Sequence, residues 1–206
     1  ILILFDKDNL INIKFFDIKK FKKKIDKKFK VKVSTNLQDI KFYDYIFLVG
    51  FIKKIKILKQ KKYYTVHESD LPKGRGFSPI KWQMLKGKNN IQFSLIKLNE
   101  KIDSGKIIMK RLIKFKTTDT FYEIKKKQME STQNLFLELI KRKFRLEGTS
   151  QKGKPTYFKK LSDIDDKINI NKSLSKLFNQ LRLAHPNHTC YFYKNKLKFY
   201  ISIKKA

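Results

Sequence analysis

The sequence contains very little cysteine, glycine, proline, alanine or arginine. A single cysteine, Cys190, in 206 residues excludes a disulfide scaffold and favours a reducing compartment. The chain lacks any uncharged apolar run of about 18 residues, so the sequence predicts no membrane-spanning helix and no membrane partner. Residues 1–5 form an apolar run too short for a signal-peptide core. We therefore expect a cytoplasmic protein.

Charge of one sign is abundant, and its composition is unusual. Lys and Arg number 50 against 18 Asp and Glu, which gives a formal net charge of +32, yet only five of the basic residues are arginine. Surfaces that read nucleic acid typically use arginine to grip phosphates and base edges. We therefore interpret most of the charge as the lysine bias of an AT-rich coding sequence on a solvated surface. Nucleic-acid binding stays open as an alternative.

Apolar and aromatic residues are frequent enough to build a core. They make up 41% and 14% of the chain, which excludes intrinsic disorder. Apolar runs and alternating patterns predict several strands, and amphipathic spacing predicts two helices before residue 148. Strands that alternate with helices favour an α/β domain with a mainly parallel sheet flanked by helices. The predicted strands are 1–5, 31–33, 45–49, 63–67, 91–98 and 106–115, and the predicted helices are 10–29 and 120–144.

The chain changes character at a polar loop, residues 148–154. We expect a catalytic domain over residues 1–148 and a small C-terminal extension over residues 149–206. The extension is predicted to hold a helix at 174–182 and a β-hairpin at 191–203 that turns at residues 194–196.

The scarce residue types concentrate in residues 65–105, which hold four of the seven glycines, two of the four prolines and the only tryptophan. A strand followed by such a loop is a typical ligand site in α/β proteins. His67 ends one predicted strand and Asp103 lies in the turn after the next. Paired, they suit proton transfer. The spacing also allows a partly buried histidine and a turn-forming aspartate with no shared role.

Several motifs in this window resemble the folate-dependent formyltransferase family. The motifs are His67–Gly76 (HESDLPKGRG), Ser78-Pro79-Ile80 with Trp82, and the Asp103-Ser104-Gly105 turn. The resemblance implies a Rossmann-like formyltransferase core. It also implies transfer of a formyl group from 10-formyltetrahydrofolate to a primary amine. No metal is implied.

The resemblance also implies roles for individual residues. His67 is the expected acid/base or oxyanion-stabilising group, with Asp103 as its carboxylate partner. The family's asparagine, two residues before the histidine, is replaced by Thr65, which has a shorter side chain and one donor. The residues expected to bind the folate are Val49, Gly50, Phe51, Ser69, Asp70, Leu71, Pro72, Arg75, Asn99 and Glu100.

The acceptor amine stays open between relatives of the family. The HESDLPKGRG version of the motif and the later Pro155–Phe158 segment resemble the formyltransferases that act on nucleotide-linked amino sugars, which we favour as the small-molecule acceptors. A methionyl-tRNA formyltransferase-like enzyme is the alternative, as is a non-catalytic folate- or nucleic-acid-binding relative suggested by Thr65 and by the charge. A homodimer is also left open.

Overall fold

The computed structural model describes residues 1–52 and 55–206. Ten strands and five α-helices are assigned in that part of the chain. The strands are β1 (Leu2–Phe5), β2 (Lys32–Ser34), β3 (Tyr45–Val49), β4 (Lys62–His67), β5 (Arg75–Gly76), β6 (Asn90–Lys97), β7 (Lys106–Lys114), β8 (Tyr157–Phe158), β9 (Cys190–Lys194) and β10 (Leu197–Ile201). The helices are α1 (Ile11–Phe15), α2 (Ile18–Lys23), α3 (Pro79–Leu85), α4 (Phe121–Lys141) and α5 (Leu174–Arg182).

A six-stranded sheet in the order β2-β1-β3-β4-β6-β7 forms the centre of the fold. The first four strands are parallel, whereas β4 pairs antiparallel with β6 and β6 antiparallel with β7. Strands β1 and β3 are apolar almost throughout and buried, because both faces of this part of the sheet are covered. The α/β class and the mainly parallel sheet flanked by helices are confirmed.

Helix α4 supplies the largest helical face of the core. Thr120 and Glu123 form a reciprocal capping box that satisfies backbone donors at its start. The helix ends at Lys141, before the predicted end at residue 144, because Lys143 and Phe144 adopt positive φ values of 52° and 56°. Phe144 instead stacks on Tyr45, with 3.7 Å between ring centroids. No helix in the described ranges is both long and apolar enough to cross a membrane.

The predicted single helix over residues 10–29 is wrong. Two short helices, α1 and α2, replace it, and Phe16 between them is extended, with φ −90° and ψ 102°. The carboxylate of Asp17 accepts a hydrogen bond from the backbone N–H of Lys20 and so caps α2. The break lets Phe16 pack against Phe5, at 5.2 Å between ring centroids. Tertiary packing and a local cap together outweigh the amphipathic pattern.

The C-terminal segment packs on the sheet domain. Strand β8 pairs in parallel with β5, and helix α5 and the β9–β10 hairpin surround a small apolar cluster. The hairpin turns at Asn195 and Lys196, whose φ values of 51° and 65° are those of a type I′ turn. The predicted C-terminal helix and hairpin are therefore confirmed.

A buried arginine ties α5 to the sheet domain. The side chain of Arg182 is 1% exposed. Its guanidinium donates to the carbonyl oxygen of Asp119 and to Oδ1 of Asn89, both at 2.8 Å, and its Nε donates to Oδ1 of Asn179 at 2.8 Å. Burial lowers the pKa of Arg182, while Asp119 opposes this shift. These bonds compensate the cost of burying the charge.

We predict that Arg182→Met destabilises the protein strongly. The change leaves the Asp119 carbonyl and the Asn89 side chain without a donor and costs about 3 kcal/mol of unfolding free energy. For a chain of this size the melting temperature should fall by about 6–12 °C. Arg142→Met is the control, because Arg142 makes only an exposed ion pair with Glu138. Equal melting temperatures for the two variants would contradict this role of Arg182.

Candidate functional site

The structure brings His67 and Asp103 together. His67 is the last residue of β4, and Asp103 lies in the loop that joins β6 to β7. Nδ1 of His67 is 3.5 Å from Oδ2 of Asp103, and the two side chains are 7% and 16% exposed. Asp103 adopts a positive φ of 48°, a conformation that aspartate tolerates. Its Oδ2 also accepts a hydrogen bond from the backbone N–H of Gly76 at 2.8 Å.

Both ring nitrogens of His67 face hydrogen-bond acceptors. Nε2 is 2.7 Å from the carbonyl oxygen of Gly74. Because a carbonyl oxygen only accepts, Nε2 carries a proton there. Nδ1 faces the carboxylate of Asp103. Only the doubly protonated ring can donate to both acceptors, so the geometry can hold a transferable proton at Nδ1. The 3.5 Å separation is longer than an ordinary hydrogen bond.

Thr65 lies on the same face of β4 as His67, because alternate residues of a strand point the same way. Its hydroxyl donates to the carbonyl oxygen of Leu48 on the neighbouring strand β3, at 3.0 Å. That hydroxyl has one proton, so this bond uses the only donor of the Thr65 side chain. In this geometry Thr65 supports the sheet and cannot at the same time donate to a ligand.

A cavity of about 290 Å³ adjoins the pair. We call it the first cavity. Of the predicted site residues, it is lined by Thr65, His67, Asp103, Val49, Gly50, Phe51, Asn99 and Glu100. One side is apolar and is formed by Leu48, Phe51, Ile55, Ile57 and Leu98. A flat ring system such as a pterin fits an apolar slot with a polar loop along its edge. The residues present therefore fit the folate head group.

Gly50 is required where it stands in the first cavity. Its φ is 69°, and a Cβ atom there would lie 2.1 Å from Nδ2 of Asn12. A side chain would therefore be strained and would also displace the buried Asn12. The end of β3 consequently leaves open backbone at the cavity wall.

The other predicted folate-binding residues do not line the first cavity. Ser69 and Leu71 lie in the loop after β4 and are buried, each 2% exposed. Asp70 is exposed and pairs with Lys110. Pro72 lies farther along the same loop, and Arg75 begins β5, whose pairing with β8 fixes the end of the loop against the C-terminal segment. These residues shape the loop around His67.

Sequence reasoning missed Gln151, which links several site loops. Its Oε1 accepts two hydrogen bonds from the guanidinium of Arg75, at 2.7 and 3.2 Å. Its Nε2 donates to the carbonyl oxygens of Asp103, at 2.7 Å, and Gly105, at 2.9 Å. Gln151 lies in the polar loop formed by residues 148–154, and the sequence of that loop indicates only a boundary between two segments. Its partners lie more than 40 residues away in sequence, so no local pattern indicates it.

A second cavity of about 610 Å³ continues from the first. It lies between the sheet domain and the C-terminal segment. Residues lining both cavities include Asn9, Ile52, Glu68, Phe77, Lys125 and Gln128. Glu68 follows His67 directly and was not among the predicted site residues. Among the described residues, no group of three or more His, Cys, Asp or Glu side chains is arranged to hold a metal ion.

Comparison with known proteins identifies relatives of this chain. The family described as formyl transferase matches residues 6–140. The methionyl-tRNA formyltransferase of Thermosipho melanesiensis is 27% identical over 137 residues, which is 66% of this chain and 45% of that protein. The chain spans about half the length of the curated relatives it matches.

Solved structures share the fold over the whole chain. A methionyl-tRNA formyltransferase from Clostridium thermocellum has a TM-score of 0.81 at 24% identity and covers 100% of this chain and 92% of its own. A sugar N-formyltransferase from a Shewanella species has a TM-score of 0.72 at 15% identity and covers 100% and 97%. At these identities the likeness shows the fold alone.

We predict that Gln151→Met loosens the loop that carries Asp103. Losing the two bonds to the carbonyl oxygens of Asp103 and Gly105 should speed amide exchange in residues 98–105 about tenfold. Hydrogen exchange read by mass spectrometry measures this. Gln180→Met is a matched control, because Nε2 of Gln180 donates to two carbonyl oxygens away from the site, those of Asp165 and Lys167. Unchanged exchange in residues 98–105 of the Gln151 variant would contradict the linking role.

Proposed function

Because this chain belongs to the formyl transferase family, we propose that it transfers a formyl group from 10-formyltetrahydrofolate to a primary amine. The observation that carries the proposal is the His67–Asp103 pair in the wall of the first cavity. A histidine with a carboxylate partner, inside a cavity that fits a flat ring, combines proton transfer with donor binding. The activity, substrates and partners of the whole protein are part of this proposal.

The donor is held by the first cavity in this proposal. Val49, Gly50 and Phe51 at the end of β3, with Asn99 and Glu100 in the loop after β6, contact its ring system. When bound, 10-formyltetrahydrofolate supplies the formyl group. The apolar side of the cavity excludes water from the reacting carbon, which disfavours transfer of the formyl group to water.

His67 and Asp103 handle the protons. The incoming amine must lose a proton as it bonds to the formyl carbon, and the departing folate nitrogen must gain one. Nδ1 of His67 accepts and returns that proton, while Asp103 orients the ring and stabilises its positive charge. A protonated His67 also stabilises negative charge that develops on the formyl oxygen. The Gly74 carbonyl keeps the ring in this orientation through Nε2.

We propose two candidate acceptors and rank them. The motif version in residues 67–76 favours a nucleotide-linked amino sugar, which is the second candidate. Methionyl-tRNA is the first candidate, because the methionyl-tRNA formyltransferase of Thermosipho melanesiensis is 27% identical to this chain and the sugar N-formyltransferase is 15% identical. The charge of +32 also suits a polyanionic acceptor, since lysine binds phosphate as a point charge.

The decisive experiment measures formyl transfer from 10-formyltetrahydrofolate to methionyl-tRNA and to dTDP-, UDP- and GDP-linked amino sugars. We expect transfer to methionyl-tRNA with a kcat/KM that falls steeply as salt rises, because phosphate contacts are screened. Transfer to a sugar alone, with weak salt dependence, would select the second candidate. Absence of transfer to every acceptor, together with tight, salt-dependent RNA binding, would contradict an enzyme and support a non-catalytic relative.

Variants of the pair test the site directly. His67→Ala and Asp103→Asn should each lower kcat about 10²–10⁴-fold, the usual contribution of a positioned acid–base group. Binding of 10-formyltetrahydrofolate, measured by calorimetry, should change little, because the cavity wall is otherwise intact. Rates equal to the wild type in either variant would show that the chemistry lies elsewhere.

Thr65→Asn tests the departure from the family motif. Asparagine carries an NH₂ group on a longer side chain, so it can reach the cavity with a second donor. We expect kcat to be preserved or raised, up to about tenfold. A large fall in kcat, with the melting temperature unchanged, would refute the equivalence of position 65 with the family's asparagine.

A further inference from the structure

The junction between the two cavities lies beside His67. Glu68, Lys125 and Gln128 line both cavities there. The first cavity holds the His67–Asp103 pair, and the second, larger one extends toward the C-terminal segment. A molecule that extends from the second cavity toward His67 therefore passes close to these side chains. Whatever group reacts at His67 from that side meets Glu68 on its way.

The Glu68 carboxylate is held in place through one of its two oxygens. Its Oε1 accepts a hydrogen bond from Nε2 of Gln128 at 2.5 Å, and its backbone carbonyl accepts from Nε2 of Gln83 at 2.7 Å. Across residues 1–52 and 55–206, no hydrogen bond or ion pair is recorded for its Oε2. The side chain is thus oriented but not neutralised by a direct partner.

The other carboxylates near the second cavity already have partners. Asp166 pairs with Lys81 at 2.6 Å, and Asp163 pairs with Lys198 at 3.4 Å. Asp103, in the first cavity, is engaged by His67 and by the Gly76 N–H. Among the carboxylates that line the second cavity, within the described residues, Glu68 alone makes no ion pair.

The second cavity is lined by positively charged side chains, so a cationic ligand there requires a carboxylate such as that of Glu68. Lys81, Lys125 and Lys160 line it. Nζ of Lys125 lies 3.4 Å from Oδ1 of Asn12, and no ion pair within 4 Å joins it to Glu68 in the described part of the chain. Burial lowers the pKa of Lys125, and the charge of Glu68 opposes this. A cationic ligand that enters among these lysines is repelled unless a carboxylate binds it.

We propose that the second cavity receives the part of the acceptor that carries its amine and that Oε2 of Glu68 binds the acceptor's ammonium group. This inference rests on the proposed function, because a primary amine is a cation near neutral pH and must approach His67. Glu68 and His67 both line the first cavity, so an ammonium group bound by Glu68 lies at the edge of the cavity that holds His67. Apolar side chains such as Phe77, Ile80 and Phe121 suit an uncharged portion of the acceptor.

Paired ligands that differ only in the amine test this binding role. One pair is methionyl-tRNA and the same tRNA charged with the α-hydroxy analogue of methionine. The other is a dTDP-linked 4-amino sugar and its 4-hydroxy counterpart. We expect the wild type to bind the amine member of at least one pair ten times or more tightly than the hydroxyl member. Glu68→Gln, which keeps the hydrogen bond with Gln128, should reduce that ratio to near one.

The controls separate this inference from the proposed function. Glu147→Gln makes the same chemical change at an exposed residue and should keep the wild-type ratio. Melting temperature and 10-formyltetrahydrofolate binding should match the wild type in both variants. Equal binding of both members of each pair by the wild type, or an unchanged ratio in Glu68→Gln, overturns the inference even when formyl transfer is observed. A Glu68-dependent ratio without any formyl transfer would leave the inference standing and overturn the proposed function.

Discussion

The environment of His67 depends on hydrogen bonds from a segment that follows the sheet domain. The two acceptors that face the imidazole ring are the Gly74 carbonyl and the Asp103 carboxylate, and contacts from residues 149–158 fix the position of both. The N–H of Gly74, whose carbonyl contacts Nε2, donates to Oγ1 of Thr156 at 2.8 Å. Gly76, whose N–H binds Asp103, pairs with Phe158 through β5 and β8. Gln151 holds the Asp103 backbone. The orientation of the His67 side chain thus depends on three contacts made late in the chain.

Charge has two different roles in this protein. Most of the surplus lysines are solvated, and their individual ion pairs contribute little to stability. A few buried charges differ, because each is fixed by partners that compensate its loss of water. Arg182 attaches α5 to the sheet domain, and the Lys81–Asp166 pair, 13% and 10% exposed, lies in the wall of the second cavity. Glu68 fits neither group, since it is oriented by Gln128 yet makes no ion pair within residues 1–52 and 55–206.

The fold and part of the site could be predicted from the sequence. Strand β3 and helix α5 coincide with their predicted ranges, because an apolar run and a strong amphipathic pattern are local signals. Residues 10–29 were predicted as one helix and form two, because the Asp17 cap and the packing of Phe16 on Phe5 are decided partly by the sheet. Thr65 lines the first cavity, and its hydroxyl donates to the carbonyl oxygen of Leu48 on the neighbouring strand, a contact that no local pattern indicates.

By itself the sequence determined the α/β class, the position of the loop after β4 and the residue types at His67 and Asp103. Local signals carry these features: periodicity, scarce glycines and prolines, and a dense motif. Only the tertiary structure decided that Nδ1 of His67 lies 3.5 Å from Oδ2 of Asp103. The tertiary structure also decided that Gln151 bonds to the loop of Asp103 and that Glu68 lines both cavities. The physical reason is that a hydrogen bond needs its atoms aligned within a few tenths of an ångström. Between residues far apart in the chain, that alignment is set by how the strands, loops and C-terminal segment pack together.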